Sequence, residues 1–236
     1  MRRFLLILAL WLPTSASAQG EVIDHQDALA VVPYRSVQMD VASSYTWDQP
    51  DQLDAGLLAH VGLGSGWEAR VGVPPHARIP LPNGHASGFG DPTLGLKAEL
   101  GDAMGWTFAA TGDASLPIGG SRGGTHVITV ATLTAGRDLP ASLALETVAE
   151  LAMDTGAPTP TAAFGLVLSS RVLRQLDVSL DVTTRIESLE VASVVIQNGY
   201  AVLLSPTVQF NVLLGVGIEG SDAPESLVGL GGSVRL

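Results

Sequence analysis

The chain has no cysteine. That excludes a disulfide scaffold, thiol catalysis and a zinc-thiolate centre. Charge is scarce as well: Asp, Glu, Lys and Arg make up 15% of the 236 residues, against about 25% in an ordinary soluble domain. Basic charge is the scarcer sign. Of 12 lysines and arginines, Arg2 and Arg3 lie in the opening segment, and the other 10 face 23 acidic residues, a net of −13. A chain of that sign repels phosphate backbones, so nucleic acid is excluded as a partner. Aromatic residues amount to only 5%. Past residue 18 no apolar run approaches the roughly 18 residues of a spanning helix, and no segment carries a helical period. Yet 46% of the residues are hydrophobic. So much apolar surface, with few charges to cover it and no helix to carry it across a bilayer, points to an exterior not entirely in water.

Catalytic and metal chemistry are also thin. His25, His60, His76, His85 and His126 are scattered without an H-x-x-x-H spacing, so neither a metal nor another cofactor is expected. His60 shares a strand face with Asp54 and in principle forms a proton relay with it. However, no G-x-S-x-G elbow accompanies it, and the chain is read as no enzyme. The Gly-rich stretches PNGHASGFG and GGSRGG do not lead from a strand into a helix, which removes a phosphate cradle.

What is present begins with MRRFLLILALWLPTSASA. Two arginines, a short apolar run and an A-x-A exit predict a secretory signal peptide over 1–18. Residues 19–35 are expected to form a periplasmic N-terminal segment and candidate plug, and 36–236 a barrel.

From residue 36 onward the dominant signal is period two. In GFGDPTLGLKAEL (88–100) Leu94, Leu96, Ala98 and Leu100 fall on one side, and Thr93, Gly95, Lys97 and Glu99 on the other. About twelve such strands are bounded by Gly, Pro, Asp, Asn or Ser: 36–47, 53–63, 67–73, 88–100, 106–116, 126–137, 142–153, 162–169, 176–186, 194–204, 207–218 and 226–236. Short links near 64, 101–105, 138–141, 170–175 and 205–206 alternate with longer ones at 74–90, 117–125, 154–160, 187–193 and 219–225. That alternation is the arrangement of bacterial outer-membrane barrels, with short periplasmic turns and long outer loops. A soluble periplasmic β-sandwich uses the same period with its greasy face inside. The membrane reading is preferred because strand lengths suit a tilted crossing and aromatics such as Trp67, Trp106, Tyr45 and Trp47 gather near strand ends. The fold class is therefore all-β, a transmembrane antiparallel up-and-down barrel.

GFGDPTLGLKAEL, SLPIGG (115–120), LLSPTVQFNVLLGVG (203–217) and APESLVGLGGSVRL (223–236) resemble the outer-membrane barrel family named for the meta pathway of phenol degradation. The resemblance covers residue 36 to the end. It implies a transporter of small, often aromatic or apolar compounds. Two departures stand out: 19–35 lacks an Arg/Asp-rich, Pro-Gly opening, and position 236 is leucine rather than phenylalanine. Gly231, Val234 and Leu236 still read as a signal to the barrel-assembly machinery.

By parity the lumen receives Asp40, Asp54, Glu68, Arg70, Lys97, Glu99, Asp113, Glu146, Glu150, Asp177, Asp181, Arg185, Glu219 and Arg235. Acids outnumber bases, which favours cations and neutral solutes over anions. Glu68 and Arg70 beside Lys97 and Glu99 would form a cross-strand ionic ladder. The expected role is passive uptake of a small solute through an acidic lumen gated by 74–90 and by 19–35, with outer-membrane lipid and the solute as partners. The alternatives are a non-conducting structural or adhesive barrel and a soluble periplasmic binding protein.

Overall fold

A computed structural model describes residues 29–47, 52–73, 76–81, 84–89, 91–118, 126–157, 159–220 and 223–236, with backbone alone at 52, 54, 76–81 and 84–89. The expected signal peptide, residues 1–18, and the start of the expected plug, 19–28, lie outside the described residues. The described residues form fourteen strands: β1 (Val37–Trp47), β2 (Gln52–Gly64), β3 (Trp67–Val73), β4 (His76–Leu81), β5 (Gly84–Phe89), β6 (Thr93–Ala103), β7 (Trp106–Ser115), β8 (Ile128–Leu139), β9 (Leu143–Asp154), β10 (Thr161–Leu173), β11 (Leu176–Glu187), β12 (Glu190–Ser205), β13 (Val208–Glu219) and β14 (Ser226–Arg235). All neighbouring pairs are antiparallel. β1 pairs with β2 on one side and β14 on the other, from Gln38↔Arg235 to Trp47↔Ser226, so the sheet closes. With β4 and β5 standing outside the ring, twelve of the fourteen strands make the barrel.

The alternation decides the faces. Leu96 is 50% exposed on the outside, whereas its neighbour Lys97, pointing inward, is 6% exposed. Val41, Leu94, Leu133, Phe164, Leu166, Leu180 and Phe210 are likewise exposed on the outer surface, while Gln38, Glu68, Asp181, Gln197 and Asn211 are buried. A band of Leu, Val and Phe facing outward around a closed ring, with no unpaired sheet edge, is what hydrocarbon tolerates.

Four features differ from the sequence expectations. The 74–90 stretch holds the β4–β5 hairpin, whose ladder pairing with the ring among the described residues is Leu53↔Arg78. The strand expected at 88–100 starts only at Thr93, because Gly88 and Phe89 pair within the hairpin and Pro92 has no N–H to give a ladder. The 187–193 link is a tight turn centred on Ser188 and Leu189, both at positive φ (50° and 69°), and β10 and β12 run longer than period two alone indicates. Finally, the interior is not wet throughout. Ala42, Val195, Leu213 and Leu227 form an apolar cluster inside the ring toward the long-loop end. Pro224 is buried there too, and its carbonyl accepts from Gly217 N at 2.8 Å.

Candidate functional site

Residues 29–36 enter the ring at the tight-turn end. Arg35, at φ 64°, and a Ser36 N–H donated to Pro33 O at 2.9 Å reverse the chain just before β1. The reversed segment lies along β2: Arg35 N donates to Gly62 O at 3.2 Å, and Gly62 N to Ser36 O at 3.1 Å. Glycine is needed at position 62, since a Cβ there would collide with the carbonyls of Val32 and Pro33. Gly136 on β8 makes the same allowance for Leu29.

Three lumen charges hold this segment. Val32 N donates to Glu68 Oε2 at 2.7 Å, Val31 N to Glu99 Oε1 at 3.0 Å, and Lys97 Nζ to Ala30 O at 2.6 Å. Three backbone groups of 30–32, Val31 N, Val32 N and Ala30 O, are thereby satisfied by side chains rather than by a strand partner. Glu68 is 1% exposed and its other oxygen, Oε1, lies 2.7 Å from His60 Nδ1. His60 Nε2 approaches Asp40 Oδ2 to 2.6 Å, close enough for charge pairing though not aligned as a hydrogen bond. An imidazole between two carboxylates serves both only as the imidazolium, with a proton on each nitrogen. Asp40 Oδ1 accepts from Ser233 Oγ at 2.5 Å and from Gln38 Nε2 at 3.2 Å, and Gln38 Oε1 accepts from Arg235 Nη2 at 2.7 Å. One polar chain thus runs from β14 through β1, β2 and β3 into the inserted segment, across the seam where the barrel closes.

Above the segment the ring encloses a cavity of about 100 Å³. Of the residues expected in the lumen, Asp40, Glu68, Arg70, Lys97, Glu146, Glu150, Asp181 and Arg235 line it. The others are placed differently. Glu99 is spent on Val31, and Asp113 stands 3.7 Å from Arg70. Asp177 is paired with Arg171, through Oδ1–Nε at 2.8 Å and Oδ2–Nη2 at 2.7 Å, near the tight-turn end. Arg185 donates to Glu187 near the long-loop end. Glu219 is exposed at the end of β13 rather than buried in the lumen, and the Asp54 side chain lies outside the described residues. The expected ladder is half formed: Glu68 stands opposite Lys97, but Arg70 stands opposite Gly95. His60 meets Asp40 and Glu68, not Asp54.

Several lining groups carried no charge to flag them. They include Gln38, Gln197, Thr111, Thr132, Thr134 and Thr183, together with Ala30, Val31 and Val32. Polar parity was the available signal for the Gln and Thr residues, and 30–32, which precede β1, carried none. At the seam, Gly231 pairs with Ala42 and Asn211, Val234 faces outward, and Leu236 N donates to Val37 O at 2.8 Å.

A closed ring with an apolar exterior is a property of a large class, and a family match narrows it. The family described as "Putative MetA-pathway of phenol degradation" matches residues 26–236. The chain belongs to this phenol-degradation family. None of the curated proteins matches it. Among solved structures, an outer membrane channel from Pseudomonas putida F1 is similar at 12% identity and a TM-score of 0.66, with 91% of this chain and 100% of that one covered. The KdgM porin, solved in complex with disordered oligogalacturonate, is similar at 8% identity and a TM-score of 0.62, covering 84% and 98%. The β domain of the Bordetella autotransporter BrkA follows at 16% identity and 0.56, covering 85% and 98%. At these identities the likeness is one of fold, and the fold this family member shares with all three is the outer-membrane β-barrel.

Proposed function

We propose that this barrel resides in the outer membrane after signal-peptide export and serves, without catalysis, as a channel for passive uptake of a small solute. The observation that carries the reading is the cavity inside the ring, lined by acidic, basic and hydroxyl side chains and backed by an outer face of Leu, Val and Phe. Its volume suits a compact molecule rather than a polymer. The acidic excess and the family membership favour a neutral or cationic solute, aromatic or apolar in body. KdgM's oligogalacturonate, a polyanion, is a poor guide for a lumen of this sign. In this reading the tight turns face the periplasm, and residues 29–34 act as a plug at that mouth.

Glu146→Gln with Glu150→Gln tests the lumen. Reversal-potential measurements in planar bilayers should show reduced cation preference, and unchanged selectivity would remove these carboxylates from the conduction path. The second reading, a non-conducting structural or adhesive barrel, draws on the inserted segment and the apolar cluster around Leu213, both of which occupy lumen. Barrels that never conduct, even after residues 19–34 are deleted, would favour it.

A further inference from the structure

We propose that the outer face of β11, β12 and β13 is an interface through which two copies of this chain pair in the membrane, joined by their Asn198 amides. Alternation along β12 fixes the direction of this side chain. Gln197 is 0% exposed and Gly199 is buried, so Asn198 points outward with Ile196 and Tyr200. The other strand amides whose side chains are described, Gln38, Gln197, Gln209 and Asn211, are buried in the lumen. Asn198 is the exception. It is the ninth of sixteen residues in β12, midway between the two ends, and stands in register between Leu180 of β11 and Leu214 of β13. In a spanning barrel that is the middle of the hydrocarbon, where water does not arrive to bond a carboxamide.

Its Nδ2 donates one hydrogen to Gln197 O at 3.0 Å. Among the described residues the second N–H and the Oδ1 acceptor meet no partner. Hydroxyls on the same outer surface are placed differently: Thr129 Oγ1 donates to Met153 O at 3.4 Å and Thr147 Oγ1 to Ala135 O at 3.3 Å, each within its own wall. A hydrocarbon chain offers neither donor nor acceptor, whereas a second Asn198 offers both. In such a pair each amide donates one N–H and accepts the other's, and the hydrogen already given to Gln197 O stays where it is. Copies inserted in the same sense hold this residue at one depth, and a two-fold axis along the membrane normal brings the amides face to face. The distances agree. Two amides joined by both hydrogen bonds of about 2.9 Å keep their Cβ atoms roughly 7 Å apart, and with each Cβ about 1.5 Å proud of its backbone this gives the separation of about 10 Å at which sheets pack. Leu180 and Val182, both exposed on β11, then close over the amides from the side.

The test is fluorescence energy transfer between full barrels in lipid vesicles, labelled through Leu189→Cys, a 97% exposed turn position in a chain with no other cysteine. Transfer should fall as added lipid dilutes the protein, and should rise linearly with the acceptor-labelled fraction, as a dimer requires. Asn198→Leu should weaken association by roughly tenfold, and Asn198→Ala, which adds no bulk, should do the same. Leu96→Ala, on β6 six strands round the ring, should leave association unchanged. Equal association with and without the Asn198 substitutions would overturn the proposal, as would an equal loss with Leu96→Ala. Transfer that curves with the acceptor fraction marks a larger ring and overturns the two-fold pair. Pairing rests, as the proposed function does, on the outer face meeting lipid, but it does not rest on conduction, and flotation with the vesicles keeps the two apart. Barrels that fail to float refute the membrane reading. Barrels that float but stay single refute the pairing alone and leave this face to a different protein.

Discussion

Replacing Glu68 by alanine should loosen the inserted segment and raise the time the barrel spends conducting. Glu68 is almost wholly buried and divides its two oxygens between Val32 N and His60 Nδ1, each at 2.7 Å. Only the first of these contacts holds the segment. A hydrogen bond to a charged acceptor contributes about 1.5–3 kcal/mol, so its loss shifts the docked-to-undocked ratio by roughly 40-fold at the middle of that range. Lys97→Ala removes a second pin of the same kind, on Ala30 O. Because Glu68 and Lys97 stand directly opposite each other in register, the two effects should not add. Single-channel recording reads the open fraction directly, and a variant lacking residues 19–34 sets the ceiling. Gly62→Val gives an independent route to the same end, since its side chain collides with the Val32 and Pro33 carbonyls without altering any charge. Should the truncated variant conduct no better than the intact protein, the segment is no plug. Should truncation and Gly62→Val open the barrel while Glu68→Ala does not, the segment is a plug but Glu68 is not its latch.

Other outcomes follow from the same arrangement. Leu96→Arg puts a guanidinium on the middle of the outer face and should lower the unfolding free energy in lipid vesicles by about 2–4 kcal/mol; a change under 0.5 kcal/mol would mean that this face does not meet hydrocarbon. Leu227→Ala empties the apolar cluster inside the ring, where Leu227 is 1% exposed. It should cost about 2–5 kcal/mol in the same denaturation assay. Val234→Asp, on the outward face of the closing strand, should reduce the heat-modifiable, membrane-inserted fraction in cells, whereas normal insertion would remove this position from the assembly signal.

Period two was enough to place Leu94, Leu96 and Lys97 on their correct faces, because a strand offers only two sides and a closed ring makes one of them common to all. It was not enough to say which lumen residues touch. His60 and Asp54 share a face but are six residues apart on one strand, about 20 Å at 3.3 Å per residue. The carboxylates His60 meets come from the neighbouring strands, Asp40 on β1 and Glu68 on β3. The link between Gln38 and Arg235 spans 197 residues of sequence and exists only because the ring closes at that register. Leu213 and Leu227 sit on the lumen side despite being apolar, since a barrel interior toward one end can be filled as well as flooded. The inserted segment left a quieter trace. Gly62 lies in β2 at the irregularity just before the tight turn at Gly64, and glycine inside a strand often marks another backbone lying against it. Here that backbone is Val32 and Pro33. Gly136, four strands round the ring on β8, leaves room for the Leu29 side chain, so two strand glycines a third of the circumference apart report one object between them. In the channel reading, an occupant of the lumen that uses this entrance has to displace it first.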